Sequence, residues 1–176
     1  MDPDLKKLRQ EIASALAGMS SDELSWHPDG KWSTAEILEH LYLTYTGTLK
    51  GLSRSTAAGQ PVVAKTTWKN RMQCLVVLGF GHLPAGREAP KFSRPKGLPR
   101  ERVVAEIESQ IAEMDRVLSE YAAKFGPRTK LLDHVFLGPF SVNQWRKFHL
   151  VHGRHHIRQI HKLRAEMRSM TARQAA

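Results

Sequence analysis

Apolar residues recur at three- and four-residue intervals in four separate stretches of the chain, and each stretch is bounded by residues that start or stop helices. Leu5, Leu8, Ile12 and Leu16 form the first stripe, with Asp2 and Pro3 at its start and Gly18 at its end. Trp26 to Trp32 holds His27, Pro28, Asp29 and Gly30, which is turn chemistry flanked by aromatics. Ser33-Thr-Ala-Glu36 follows as a capping box, in which serine and glutamate each satisfy the other's backbone N–H, so a second helix is predicted from about Thr34 into the fifties. Val103 or Val104, Ile107, Ile111, Met114, Leu118 and Tyr121 make a third stripe, opened by Pro99 with Glu101 and stopped by Gly126 and Pro127. A linker with Gly138 and Pro139 leads to Ser141 and Gln144, another capping box, ahead of a last helix reaching roughly Met167.

Between the second and third helices the pattern breaks. Gln60 and Pro61 interrupt it, and Thr67 to Leu78 reads as a short helix or, on the strength of Val76 and Val77, as a buried extended piece; helix is the preferred reading. From Gly79 to Arg100 four prolines (84, 90, 95, 99) and four glycines (79, 81, 86, 97) predict a long surface loop, of a length that often covers a site. Four long helices, one short extra element and no strand-rich region predict an all-α fold, a four-helix bundle with its apolar stripes turned inward.

Composition narrows this picture. With 176 residues and 41% apolar content the chain suffices for one compact domain, here residues 1–170, with 171–176 as a flexible C-terminal tail. The longest nearly apolar run, Cys74 to Phe80, is far below the roughly 20 residues that span a bilayer, so no membrane is expected. The acidic start Met1-Asp-Pro-Asp4 lacks the basic and apolar regions of a secretory signal, and the expected compartment is cytoplasmic. The single cysteine, Cys74, excludes an internal disulfide and a Cys-rich zinc site, and its apolar neighbours favour a buried, inert thiol over a nucleophile.

A net charge of +10 brings an anionic partner or substrate into consideration. From Ser141 to Ala176 eight basic residues face one acid, Glu166. Arg154, Arg158, Lys162 and Arg168 read as a solvated helix face more readily than as a nucleic-acid track, since few aromatics are interleaved for base stacking.

Five of the nine histidines lie on the last helix: His149, His152, His155, His156 and His161. At about 100° per residue, Trp145, Phe148, His156, Gln159 and Leu163 all fall within about 40° of His152, His149 and His155 lie about 60° to either side, and His161 points away. Two imidazoles one turn apart on the inward face would cost desolvation unless their nitrogens are satisfied, and a divalent metal does this while holding both neutral. His40, between Ile37 and Leu41 and one turn before Thr44, is the best third ligand. Three neutral histidines leave positions open for water, the form of a catalytic site. The bland alternative is polar decoration of a helix. Residue 153 is Gly where the zinc-protease helix motif has its general-base Glu, which disfavours a peptidase. Gly153 itself lowers helix propensity by about 1 kcal/mol relative to Ala, and close approach of a neighbouring helix is the expected compensation.

His152-Gly-Arg-His155-His156-Ile-Arg-Gln159-Ile160 resembles the last-helix signature of the DinB/YfiT-like superfamily, His-x-x-His-His-x-x-Gln followed by an aliphatic residue. Trp32-Ser-Thr-Ala-Glu-Ile-Leu-Glu-His40-Leu41 is similar to the same family's second-helix segment. The resemblance implies an up-down-down-up bundle in which His40, His152 and His156 bind a divalent metal at one end. The segment His134 to Trp145 also resembles a related subgroup, with Val135 in place of that subgroup's proline, which leaves open whether His134 reaches the site. Zn, Ni, Fe or Cu suits three imidazoles.

Around these ligands, Gln159 could hydrogen-bond an imidazole or a substrate, Glu36 could orient His40 although its capping role already explains it, and His155 could shuttle a proton although a flanking role is the plainer reading. Trp145 and Phe148 read as core that could also line a cavity. Two functions of different class follow. The first is a metal-dependent enzyme acting on a small-molecule substrate, as a hydrolase or as a thiol-dependent S-transferase, the chemistry the resemblance implies, with a low-molecular-weight thiol as cofactor. The second is a non-catalytic protein whose basic last helix holds nucleic acid or an acidic partner. A homodimer is a further expectation.

Overall fold

The computed structural model describes residues 1–61, 63–83 and 88–174. Four long helices carry the fold: α1 (Pro3–Leu16), α3 (Thr34–Ala57), α5 (Arg100–Phe125) and α6 (Val142–Gln174). Two short helices, α2 (Ser21–Ser25) and α4 (Trp68–Cys74), and a two-stranded antiparallel hairpin, β1 (Lys130–His134) with β2 (Gly138–Ser141), complete it. A π-helical turn (Leu75–Gly79) prolongs α4, and a single 3-10 turn (Lys91–Ser93) lies in the expected loop, whose Pro84 and Gly86 fall outside the described residues.

Helix starts follow the local chemistry. Asp2 accepts the Asp4 N–H at 2.9 Å, and the Ser33/Glu36 box closes at 3.2 and 2.8 Å. The Ser141/Gln144 box is also formed, and two more boxes, Ser20/Glu23 and Thr67/Asn70, start the short helices.

Cross-helix contacts fix the directions. Leu8 faces Gly153 and Glu11 pairs with Arg154, so α1 and α6 are parallel; Tyr42 meets Glu106 and Ser55 meets Tyr121, so α3 and α5 are parallel. Asp2 meets Asp115 and Arg9 meets Glu108, whereas His40 meets His152 and Tyr45 meets His149, which makes the two pairs opposed. The topology is up-down-down-up. The core is the four inward stripes: Leu5, Leu8 and Ile12; Ile37, Leu38, Leu41 and Tyr45; Ile107, Ile111, Met114 and Leu118; Trp145, Phe148, Ile160 and Leu163.

Three expectations need correction. The linker before Ser141 is the β1–β2 hairpin, which the sequence hides because its strands are only five and four residues long and one contains Pro139. Gly138 at φ +78° is required there twice over, since a Cβ at this position would also meet the Asn70 side chain at 2.6 Å. The last helix runs past 167 to Gln174, so most of the expected tail is helical, while Ala175 and Ala176 fall outside the described residues. Cys74 is half-buried rather than buried, and burial pushes its thiol pKa up.

Gly153 is where α1 and α6 touch most closely. A Cβ on Gly153 would lie 2.2 Å from Leu8 Cδ1, so the glycine lets the first helix sit directly on the last.

Candidate metal centre

α3 and α6 run antiparallel and bring His40 opposite His152 and His156. His152 Nε2 lies 3.2 Å from His40 Nε2 and 3.1 Å from His156 Nε2. One nitrogen from each of the three rings falls within 4.8 Å of the other two, a group that could hold a metal ion. A tetrahedral cation bound at about 2.0–2.1 Å sets its ligand nitrogens roughly 3.3 Å apart, which the observed spacing approaches.

The outer ring nitrogens decide what the inner ones carry. His40 Nδ1 is 2.7 Å from the Ser93 carbonyl oxygen, which can only accept, so the His40 proton sits on Nδ1 and its Nε2 presents a lone pair. His156 Nδ1 is 2.8 Å from Gln159 Oε1, with the same result. The Gln159 amide is oriented in turn by donating to His155 Nε2 at 3.2 Å. Two lone pairs therefore converge on His152 Nε2. With no cation, one proton on His152 Nε2 can serve only one neighbour well at a time, while His152 Nδ1 is sealed from solvent and has no hydrogen-bond partner among the described residues whichever way the proton sits. A shared cation satisfies all three inner nitrogens at once, and the donor set fits it.

Burial keeps the rings neutral. Desolvation lowers the His40 pKa, takes His152 well below the ordinary value and brings His156 to about 3, with the neighbouring histidines adding a smaller push in the same direction. Phe148 stacks on His152 with ring centroids 5.3 Å apart and planes 10° off parallel, and Trp32 packs on His40 at 5.3 Å.

A cavity of about 500 Å³ opens above the three histidines. Its walls come from separate segments: Trp32 and Thr44, the α4–π-turn segment, the 88–93 stretch, the hairpin turn and one face of α6. His134, left open by the sequence, lines this cavity but does not join the three converging rings. Its Nδ1 accepts the N–H groups of Phe136 and Leu137, both at 3.2 Å, and so shapes the hairpin turn, while burial lowers its pKa to about 4.

The remaining candidates fall differently. Glu36 stays at the helix start with its carboxylate on the Ser33 N–H, and His40 is oriented by the Ser93 backbone instead. Gln159, expected on the inner face, is exposed, because the bundle opens beside it; it still holds His156. His155 is half-buried, edge-on to His156 and at the cavity wall. His149, expected at the flank, is fully buried, stacked on Trp145 and edge-on to Tyr45.

Two positions were missed by reasoning from the sequence. Glu39 is buried, and its carboxylate accepts the N–H groups of Lys96 and Gly97 at 2.7 and 3.1 Å, tying the loop to α3 one residue before His40. Its only signal was an acid inside the apolar stretch Ile37–Leu41. Ser93 acts through its carbonyl and gave no signal.

The family model of the DinB superfamily matches residues 4–160. The chain belongs to the DinB superfamily. The match reaches all four long helices, ending within α6, and includes both segments that supply the histidines of this DinB protein. No curated protein and no solved structure matches the chain. The basic face of the last helix is partly spent within the DinB bundle: Arg154 pairs with Glu11, Arg164 and Arg168 with Glu23, and Arg146 with Asp115.

Proposed function

We propose that this protein is a metal-dependent enzyme, with a divalent cation held by the Nε2 atoms of His40, His152 and His156, that adds a water- or thiol-derived nucleophile to a small-molecule electrophile. The observation that carries this reading is the fixed tautomer of His40 and His156, whose outer protons are held by Ser93 and Gln159 so that both inner lone pairs aim at His152 Nε2. When bound, such a cation supplies Lewis acidity, lowering the pKa of a water or thiol so that it is nucleophilic near neutral pH.

The chain's own groups hold this arrangement in place. Phe148 and Trp32 cover ring faces of His152 and His40 and exclude water from them. Gln159 bridges His156 Nδ1 and His155 Nε2, which leaves the His155 proton on Nδ1. Zn, Ni and Fe are all compatible with three imidazoles, and a low-molecular-weight thiol is the nucleophile that the resemblance in the two histidine segments favours. The ion pairs on the last helix support this reading over one in which that helix is a nucleic-acid track.

Elemental analysis of the purified protein beside His152→Ala is the test. About one equivalent of metal is expected in the parent and almost none in the variant. No metal in either, after Zn or Ni has been supplied, overturns the proposal; a thiol-transfer screen on the metal-loaded protein then identifies the reaction.

A further inference from the structure

We infer that the cavity above the three histidines takes an uncharged molecule with an apolar body and a polar, electron-pair-donating head. This rests on reading His40, His152 and His156 as the floor of a site, and says what stands on that floor.

The first observation is a charge that is missing. In a chain of net charge +10, no Lys or Arg lines this cavity among the described residues. Among the described residues the charged lining group is Glu88, whose carboxylate is already taken by Arg94 at 2.5 Å. A carboxylate or phosphate on the ligand body would thus lose its water without gaining a cationic partner from the described walls, and an ammonium would find no free acid among the described residues. Either penalty selects against a charged ligand body.

The second observation is how polar groups are distributed. Polar side chains, among them Thr44, Gln73 and Gln159 beside the three rings, share the lining with Val76, Val77, Phe92, Leu137 and Phe148, which supply apolar wall. The apolar character continues outward to the mouth. Val135 is 61% exposed and Met72 43%, and both line the cavity, so apolar side chains ring an opening where water would ordinarily select polar ones. A ligand whose apolar end reaches this rim removes it from water, and the volume of about 500 Å³ lies within the range of small-molecule sites. The π-helical turn at Leu75–Gly79 contributes Val76 and Val77 to the wall, and such turns recur at functional sites.

The test has a metal-free arm and a metal-loaded arm. In the first, the neutral fluorophore N-phenyl-1-naphthylamine is titrated into metal-free protein, its Met72→Glu and Val135→Glu variants, and His152→Ala. Saturable uptake at one site is expected in the parent and in His152→Ala, with binding about ten-fold weaker in the two glutamate variants, whose positions are exposed enough for the fold to tolerate them. In the second, n-alkyl thiols from propyl to hexyl are titrated against Zn-loaded protein. Affinity should rise roughly three-fold per methylene, and 3-mercaptopropionate should bind about ten-fold more weakly than 1-propanethiol. Affinity independent of chain length, tighter binding of the anion, or no saturable dye signal overturns the inference. So does a dimer that Val135→Glu dissociates while the parent takes up no dye, which makes the rim an interface between copies. Dye uptake without metal uptake overturns the reading of the floor and leaves the apolar chamber standing; metal uptake without dye does the reverse.

Discussion

His149 and His156 are both buried on α6, two turns apart, and burial brings both pKa values to about 3. They differ in what their nitrogens meet. His156 has Gln159 on one nitrogen and His152 on the other, whereas among the described residues neither nitrogen of His149 has a hydrogen-bond partner, and the nearby Tyr45 hydroxyl and Trp145 indole N–H have none either. Burial and a depressed pKa are therefore common to a core histidine and to a candidate ligand. At His40 and His156 an outer partner fixes the proton away from the converging atoms, and His152, which lacks one among the described residues, differs from His149 in that its Nε2 meets both of them.

Exchanging the two kinds of histidine gives the largest expected effect. Measured metal content should fall from about one equivalent to almost none in His152→Ala and stay unchanged in His149→Phe. Equal loss in both variants would erase the distinction. A smaller change comes from the outer shell: Gln159→Leu leaves His156 in place but frees its Nδ1, and metal affinity measured by chelator competition should drop about 10- to 100-fold.

Next is the far side of the same helix, where α1 closes on Gly153. Gly153→Val forces methyl groups against Leu8 and should cost about 2 kcal/mol in urea unfolding, with metal content retained. If metal is lost with little change in stability, the two faces of α6 are not independent.

Taken per pH unit, the smallest effect is in pH dependence. His149 binds a proton near 6.5 when unfolded but only at about 3 when folded, so the unfolded chain takes up more protons between these values and stability falls as pH falls through that window. His149→Phe should remove on the order of 1 kcal/mol per pH unit from that slope in metal-free protein, seen as flatter acid unfolding. An unchanged slope would show that His149 is protonated in the folded state.

The sequence made the long helices legible because each couples a stripe to a capping residue or a proline, and the histidines legible because helical spacing places 152 and 156 on one face. The hairpin escaped because strands this short hold no period to read. α2 escaped for its length alone, although Ser20 and Glu23 spell a capping box. The cavity could not be read at all: Val77, Phe92, Val135 and Phe148 meet only through the path of the chain. Gln159 was placed inward by angle, and only the opening of the bundle explains its exposure.

The bond from His40 Nδ1 ends on a main-chain oxygen, so a side-chain scan passes straight over it. Ser93→Ala keeps that acceptor, so at this buried position the main chain and not the hydroxyl steers the imidazole. A one-residue deletion between 88 and 93 would move the carbonyl itself, and the length of this segment, more than its spelling, is what inheritance has to preserve.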